Sequence, residues 1–381
     1  MTYKRIPLYD LAKWKNGLAF RNINFSKRGR PVIKIAELKN GITEQTQLTE
    51  QTFDDEVYLR AGDMLFSWSG NPQTSIDVFW YNLPDGWLNQ HIFKVTPISE
   101  IDRQYFFYLM KSLMPTFTAI ASNKQTTGLG HVTVKDLKEL IVDVPPLDEQ
   151  VAIGAYLQSI DAKINNNTKI NHHLEQMAQV IFKSWFVDFE PFGGAMPDDW
   201  RETELGEVTT LNAGGDKPSL YSPVMTEECS VPIFSNGIDN YGLYGYTAKP
   251  KITDECVTVS ARGTIGFVCL RQEPFVPIVR LVTAIPSNDY ITAKYLYLYL
   301  RSIHIVGVGT TQQQLTVPDF RKYRILVPSL DIVEKFTEAV DPMFEEIRHK
   351  RAENARLAAL RDTLLPRLMS GELSVSDYAA K

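Results

Sequence analysis

The chain has 381 residues, 44% of them hydrophobic and 22% charged, and carries a formal net charge of -5. That composition suits two or three globular domains with buried cores and argues against indiscriminate nucleic-acid binding. Met1-Thr2-Tyr3-Lys4-Arg5 opens no apolar leader and no run of about 18 apolar residues follows, so a cytoplasmic protein with no membrane partner is expected. Cys229, Cys256 and Cys269 are odd in number and lack metal-ligand spacing, which points to buried free thiols rather than disulfides or zinc.

Residues 1 to 39 hold ten basic side chains, among them Lys27, Arg28 and Arg30, against only Asp10 and Glu37. An anionic partner would meet this face first, although such charges also serve as plain solvated surface. Strands are expected at Val32 to Ala36, Met64 to Trp68, Ile76 to Trp80, Ile92 to Val95 and Leu140 to Val144, with an aromatic helix at Arg103 to Leu113. Two polar loops stand out. One supplies Ser67, Trp68, Ser69 and Asn71; the other supplies Lys124, Gln125, Thr126, Thr127 and His131. Short amides and hydroxyls populate ordinary turns, but Asn, Gln and Arg also pair bidentately with adenine and guanine edges.

The central stretch changes character. Val144-Pro145-Pro146-Leu147 locks the backbone extended, and Asp148-Glu149-Gln150 then supplies a helix cap and first turn. Apolar or small residues recur at Ile153, Leu157, Ile160, Ile164, Leu174, Ala178, Ile181 and Trp185, the alternating spacing of a coiled-coil seam. Asn167 and Asn171 interrupt it, and a buried Asn at such a position sets register at some expense of stability. About 35 residues at 1.5 Å each make a rod of roughly 50 Å, longer than an ordinary amphipathic core helix. The Pro- and Gly-rich segment from Glu190 to Trp200 ends it.

A second copy follows. Strands are expected at Val231 to Phe234, Val257 to Ser260, Ile265 to Leu270, Leu281 to Ile285 and Arg324 to Val327, with a helix at Thr292 to Ile303. Its polar loops offer Ser260, Arg262 and Thr264, then Thr310, Thr311, Gln312, Gln313 and Gln314. Val327-Pro328-Ser329-Leu330-Asp331 repeats the entry to the central helix, and Asp331 with Glu334 reads as a capping box. A second stripe runs through Phe336, Val340, Met343, Ile347, Leu357, Leu360 and Leu364, with Asn354 on it and Pro342 expected to kink or delay the rod. The copies align in order: Leu11, Trp14 and Gly17 with Val208, Leu211 and Gly214; Ser67 and Gly70 with Ser260 and Gly263; Tyr105 to Ser112 with Tyr295 to Ser302; Thr126-Thr127 with Thr310-Thr311. Offsets that shrink steadily along the chain indicate duplication, the second copy being shorter by a few loop residues.

No phosphate-binding Gly-rich loop, metal-spaced His or Cys cluster, or nucleophile elbow is present, and His172-His173 are adjacent rather than one helical turn apart. A duplicated chain without a catalytic signature reads as a recognition or scaffold protein.

In Val144-Pro145-Pro146-Leu147-Asp148-Glu149-Gln150, in the helix from Met177 to Phe189 and in the run from Leu360 to Leu373, the sequence resembles the specificity subunit of type I restriction-modification systems, and the repeat extends that resemblance over essentially the whole chain. The resemblance implies an α+β fold: two repeated α/β target-recognition domains joined by two long helices packed as an antiparallel coiled coil, with pseudo-two-fold symmetry. The corresponding boundaries are 1–146 and 191–328 for the recognition domains, and 147–190 and 329–381 for the helices. It further implies a non-catalytic DNA-binding subunit reading a bipartite target in double-stranded DNA. Two methyltransferase (modification) subunits and two restriction (translocase and nuclease) subunits would dock on it, and S-adenosylmethionine, ATP and Mg would belong to them. The competing readings are a DNA methyltransferase with fused recognition domains, which needs a cofactor loop and a catalytic Asn- or Asp-Pro-Pro-aromatic turn that this chain lacks, and a coiled-coil scaffold with no nucleic acid involved.

Overall fold

Apolar alternation draws four segments into one antiparallel sheet, in the order Ala12–Asn16, Ile92–Pro97, Met64–Ser67 and Asp77–Trp80. The computed structural model describes residues 3–125, 128–287, 290–307 and 313–375. One face of this sheet, through Phe66, Val78, Phe93 and Val95, packs on Tyr105, Phe106 and Tyr108 of helix Arg103–Ser112. Asp102 caps that helix by accepting from the Tyr105 amide. Leu65 and Ile92 point the other way, as the period-2 alternation of a strand requires, and join Ile33, Leu59, Tyr81 and Trp87 in a second core. There a smaller sheet runs Leu48–Thr49, Arg30–Ile33, Gly86–Leu88 and Tyr58–Leu59, its central pair parallel. Lys4–Pro7 pairs with Ile141–Val144 and closes the copy.

The second copy repeats this topology. Its main sheet runs Thr209–Ala213, Val282–Pro286, Cys256–Val259 and Val268–Arg271, with helix Ala293–Ser302 capped by Thr292. Val231–Phe234 again pairs in parallel, with Val276–Pro277, and Arg201–Glu204 closes on Arg324–Val327. The glycines aligned in sequence have a common cause. A Cβ on Gly17 would lie 2.2 Å from Asn89 O, and one on Gly214 would lie 2.8 Å from Ile278 N, so both backbones pass too close for a side chain.

Several boundaries differ from the sequence reading. The strand expected to reach Ala36 ends at Ile33, because Glu37 accepts from the Lys34 amide and nucleates helix Ile35–Asn40. The strand expected from Ile265 begins at Val268, since Gly263 and Gly266, at φ 68° and 82°, hold the preceding residues in a turn. Helix Met114–Asn123 was not expected, although Pro115 in its first turn is the matching signal.

The two rods are helices Leu147–Phe186 and Leu330–Met369, each of 40 residues. The chain divides into two units, the described residues of Met1–Asn166 with Ala352–Lys381, and Asn167–Arg351, so each unit owns half of each helix. Within each unit the halves run antiparallel. In the first, Asp161 meets Arg361 at 2.7 Å and Lys163 meets Glu353 at 3.6 Å; in the second, Glu175 meets Arg351 at 2.9 Å while the ring of Phe186 lies 4.9 Å from that of Phe336. The seam buries Ile153, Leu157, Ile160, Asn167, Asn171 and Ala178, together with Phe182 and Phe186, which the expected stripe omitted. Leu360, placed on the stripe, is 45% exposed and Leu368 is buried instead; a 3.6-residue turn drifts off a 3.5-residue pattern. The capping box at Asp331 does not form: the helix starts at Leu330, and Ser329 O accepts from the Ile332 and Val333 amides. Pro342 lies exposed and does not interrupt the helix. Among the described residues no helix is long and apolar enough to cross a membrane.

Candidate nucleic-acid interface

In the first unit the strand Met64–Ser67 delivers Trp68 into the loop, and the next two residues, Ser69–Gly70, pair with Gly130–His131. The Val132 amide donates to Trp68 O at 2.8 Å, extending the ladder. The two loops singled out in the sequence therefore meet, with His131 opposite Ser69. Gly70 is required there: its φ is 137°, and a Cβ would approach the Ser75 side chain to 2.4 Å. Trp68 Nε1 donates to Asn16 Oδ1 at 2.9 Å, and its ring tilts against His91 at 5.9 Å and Phe93 at 5.7 Å. Gln90 Nε2 lies 3.2 Å from His91 Nε2. Asn16, Gln90 and His91 thus belong to the cluster although the sequence reading passed over them; the signal was Gly17, whose close approach to Asn89 brings the neighbouring side chains together.

The remaining candidates of this unit are partly engaged. Asn71 Oδ1 accepts from the Gln73 and Thr74 amides and shapes its own turn. Lys124 bonds Asp136; burial opposes charge on that carboxyl, but the bonds from Lys124 and Thr133 outweigh it and hold it below the usual carboxylate range. Gln125 is exposed, and Thr126 and Thr127 lie outside the described residues. On the basic N-terminal segment, Lys13 and Lys15 both bind Glu56 and push its carboxyl down to about 2. Arg30 lies over the ring of Tyr58 at 5.2 Å. Lys27 and Arg28 are exposed with no ion-pair partner among the described residues, so with Arg30 they remain open to an anion.

In the second unit the same junction recurs with different side chains. The Leu315 amide donates to Ala261 O at 3.0 Å, the counterpart of the bond between Val132 and Trp68. Arg262 donates from Nε and Nη2 to Gln314 Oε1 at 3.1 and 2.9 Å, so the two candidate loops are again joined. Asn236, also passed over in the sequence, braces the site: its Oδ1 accepts from the Ala261 amide at 2.7 Å, and its Nδ2 donates to Val279 O at 2.6 Å. Val279 and Arg280 sit at φ 52° and 61°, a backbone that side chains seldom adopt and that marks a constrained loop. Thr264 and Gln313 are exposed; Thr310, Thr311 and Gln312 lie outside the described residues.

Ser67 and Ser260 require correction. They are 0% and 1% exposed, and their hydroxyls donate to Ser75 O and Asn236 O. Buried at the end of the strand and just beyond it, with their hydroxyls already donated, these serines hold the loops from beneath and offer nothing to a base.

Comparisons with known proteins agree with this duplicated architecture. A family model described as type I restriction modification DNA specificity domain matches residues 2–176 and 197–358. The chain is similar to the MjaIX specificity subunit of Methanocaldococcus jannaschii, with 25% identity covering 76% of this chain and 73% of that protein. It is likewise similar to the EcoBI specificity subunit of Escherichia coli, with 24% identity covering 98% and 86%. The crystal structure of a type I restriction-modification S subunit from M. genitalium shares the fold at a TM-score of 0.58 and 18% identity, covering 97% of this chain and 96% of that one.

Proposed function

The chain belongs to the type I restriction modification DNA specificity family, and from that premise we propose that it reads a bipartite sequence in double-stranded DNA and positions the subunits that methylate and cleave. The observation that carries this reading is the recurrent loop junction. In both units the backbone after the third strand of the main sheet is bonded to the residue that follows the second polar loop, by Val132 on Trp68 and by Leu315 on Ala261. A fixed backbone carrying different side chains is what two readers of two unlike half-sites require: Trp68, His91 and His131 in one, Arg262 and Gln314 in the other.

The division of labour follows from side-chain chemistry. Arg262, held through one edge by Gln314, keeps Nη1 and one Nη2 hydrogen for base acceptors such as guanine O6 and N7. The amide hydrogens of Asn71, whose oxygen is taken by its own turn, suit base acceptors such as adenine or guanine N7, and the exposed Gln125 and Gln313 suit the paired donor and acceptor of an adenine edge. Lys27, Arg28 and Arg30 supply sequence-independent phosphate contacts. The target-recognition domains are 1–146 and 191–328, with 147–190 and 329–381 as the helical connection on which two modification subunits and two restriction subunits dock. S-adenosylmethionine, ATP and Mg act in those partners, and this subunit is non-catalytic. The test is to express the chain with its modification partner and map methylated sites on genomic DNA. Two unlike half-sites separated by a nonspecific gap are expected; a single contiguous site, or methylation without sequence preference, would refute it.

A further inference from the structure

The second unit contains a cleft of about 290 Å³ that the loop junction does not use, lined by strand Val268–Arg271, by Tyr297 and Arg301 of helix Ala293–Ser302, by Glu175 and Arg351 of the long helices, and by Tyr241. Three guanidinium groups share it with one carboxylate. Glu175 binds both Arg301, at 3.0 Å, and Arg351, at 2.9 Å. Arg271 is 7% exposed, donates to Thr258 Oγ1 and Tyr241 O at 2.9 and 2.7 Å, and has no carboxylate within ion-pair distance among the described residues. Arg351 Nε is buried without a hydrogen-bond partner. Two positive charges and an unused N–H donor therefore remain in a walled space, where an unpaired charge is expensive. The fold does not demand this. By strand and helix register, the first unit has Tyr81 in place of Arg271 and Lys111 in place of Arg301; Tyr81 is fully buried and donates its hydroxyl to Pro84 O, and Lys111 is neutralised by Asp77 at 2.8 Å.

We propose that this cleft binds a phosphate-type oxyanion, either a free phosphate or a phosphodiester of bound DNA, on Arg271, Arg301 and Arg351. The planar guanidinium fork suits a tetrahedral oxyanion, and Arg351 is already oriented by stacking over Tyr241 at 4.5 Å. Occupancy would also brace the candidate recognition loop. Arg271 holds Tyr241 O, Tyr241 and Asn240 sit at φ 56° and 47°, and Gly242 O accepts from the amide of Ser235, next to the Asn236 that supports Ala261.

The full chain is titrated with inorganic phosphate against chloride at matched ionic strength, by calorimetry and by thermal unfolding. Its DNA affinity is then measured as a function of salt. Arg351→Gln should weaken phosphate binding at least about tenfold if the free anion is the ligand, or lower the salt slope of DNA binding by about one if the phosphodiester is. Glu175→Gln should tighten the same interaction, because it removes the competing carboxylate. The opposite signs separate charge from folding damage, and circular dichroism of both variants checks the fold. Phosphate no better than chloride with an unchanged DNA salt slope overturns the proposal, as does equal loss in both variants. The DNA arm rests on the proposed function; a chain that binds phosphate but no DNA would refute that function and leave the cleft assignment standing.

Discussion

Replacing Arg262 tests the proposal that the second unit reads one half-site. The side chain is exposed and held by two donated bonds to one Gln314 oxygen, at 3.1 and 2.9 Å, which fixes the guanidinium plane before DNA arrives. A bidentate contact to a base edge carries about 1 to 3 kcal/mol of discrimination, and each 1.4 kcal/mol is a factor of ten. Arg262→Ala should therefore relax one base position of one half-site by about 5- to 150-fold. Gln314→Ala keeps the charge and loses only the brace, a net effect of about 0.5 to 1.5 kcal/mol. Since Gln314 acts through Arg262, the double variant should be no worse than Arg262→Ala alone, leaving a coupling energy as large as the Gln314→Ala effect. The assay is methylation mapping of genomic DNA by the assembled complex, together with binding to duplexes that differ at single positions. Relaxation of the other half-site, or a uniform loss across all sequences with a flatter salt slope, would mean that Arg262 contacts phosphate and that the junction is not a base reader.

Lys27, Arg28 and Arg30 to Ala should weaken binding to specific and random DNA alike and lower the salt slope by roughly 0.9 for each phosphate that the removed charge had neutralised; an unchanged slope in a salt titration would assign the cluster to solvent. Phe336 is fully buried against Phe182, Phe186 and Tyr295, so Phe336→Ala should cost about 3 to 5 kcal/mol of stability in urea unfolding, and a cost under about 1 kcal/mol would contradict the packing. Asp136 has its carboxyl held low, so its contribution is present above the ordinary carboxylate range and is lost as pH falls through the folded value; Asp136→Asn should flatten the acid limb of the stability curve, measured by unfolding below about pH 5. Burial pushes the Cys256 thiol up to about 12, so iodoacetamide at pH 8 should modify it only at the rate of unfolding, read by mass spectrometry.

The architecture was legible because it is written in periodicities. Strand alternation, the paired Val-Pro-x-Leu-Asp entries to the long helices and the ordered internal repeat each report a local preference that the fold keeps. What escaped was decided by contacts distant in sequence or by turn geometry. Phe182 and Phe186 fall off a strict heptad, yet they are buried because Tyr295 and Phe336 supply a cavity for them. The short strands Lys4–Pro7 and Arg201–Glu204 have no pattern of their own and exist through their partners at the far end of each repeat.

The two polar loops of each unit were legible in the sequence, and the structure joins them, but their individual side-chain roles were not legible. Residue type alone made Ser67 and Ser260 equal to their neighbours, whereas both are buried beneath the loops with their hydroxyls donated to Ser75 O and Asn236 O. Conversely Asn16, His91 and Asn236 lie outside the polar loops in sequence and enter the site only because tight backbone contacts at Gly17 and Gly214 fold those segments beside it. The duplication then explains the division between what is kept and what varies. A backbone bond between loops is indifferent to side chains, so it survives in both units at Trp68 and Ala261, one with a large aromatic and one with a methyl group. The same backbone can therefore carry an aromatic and histidine cluster in one copy and an arginine braced by glutamine in the other; under the proposed function, a change of recognised sequence needs new side chains on this frame but no new fold.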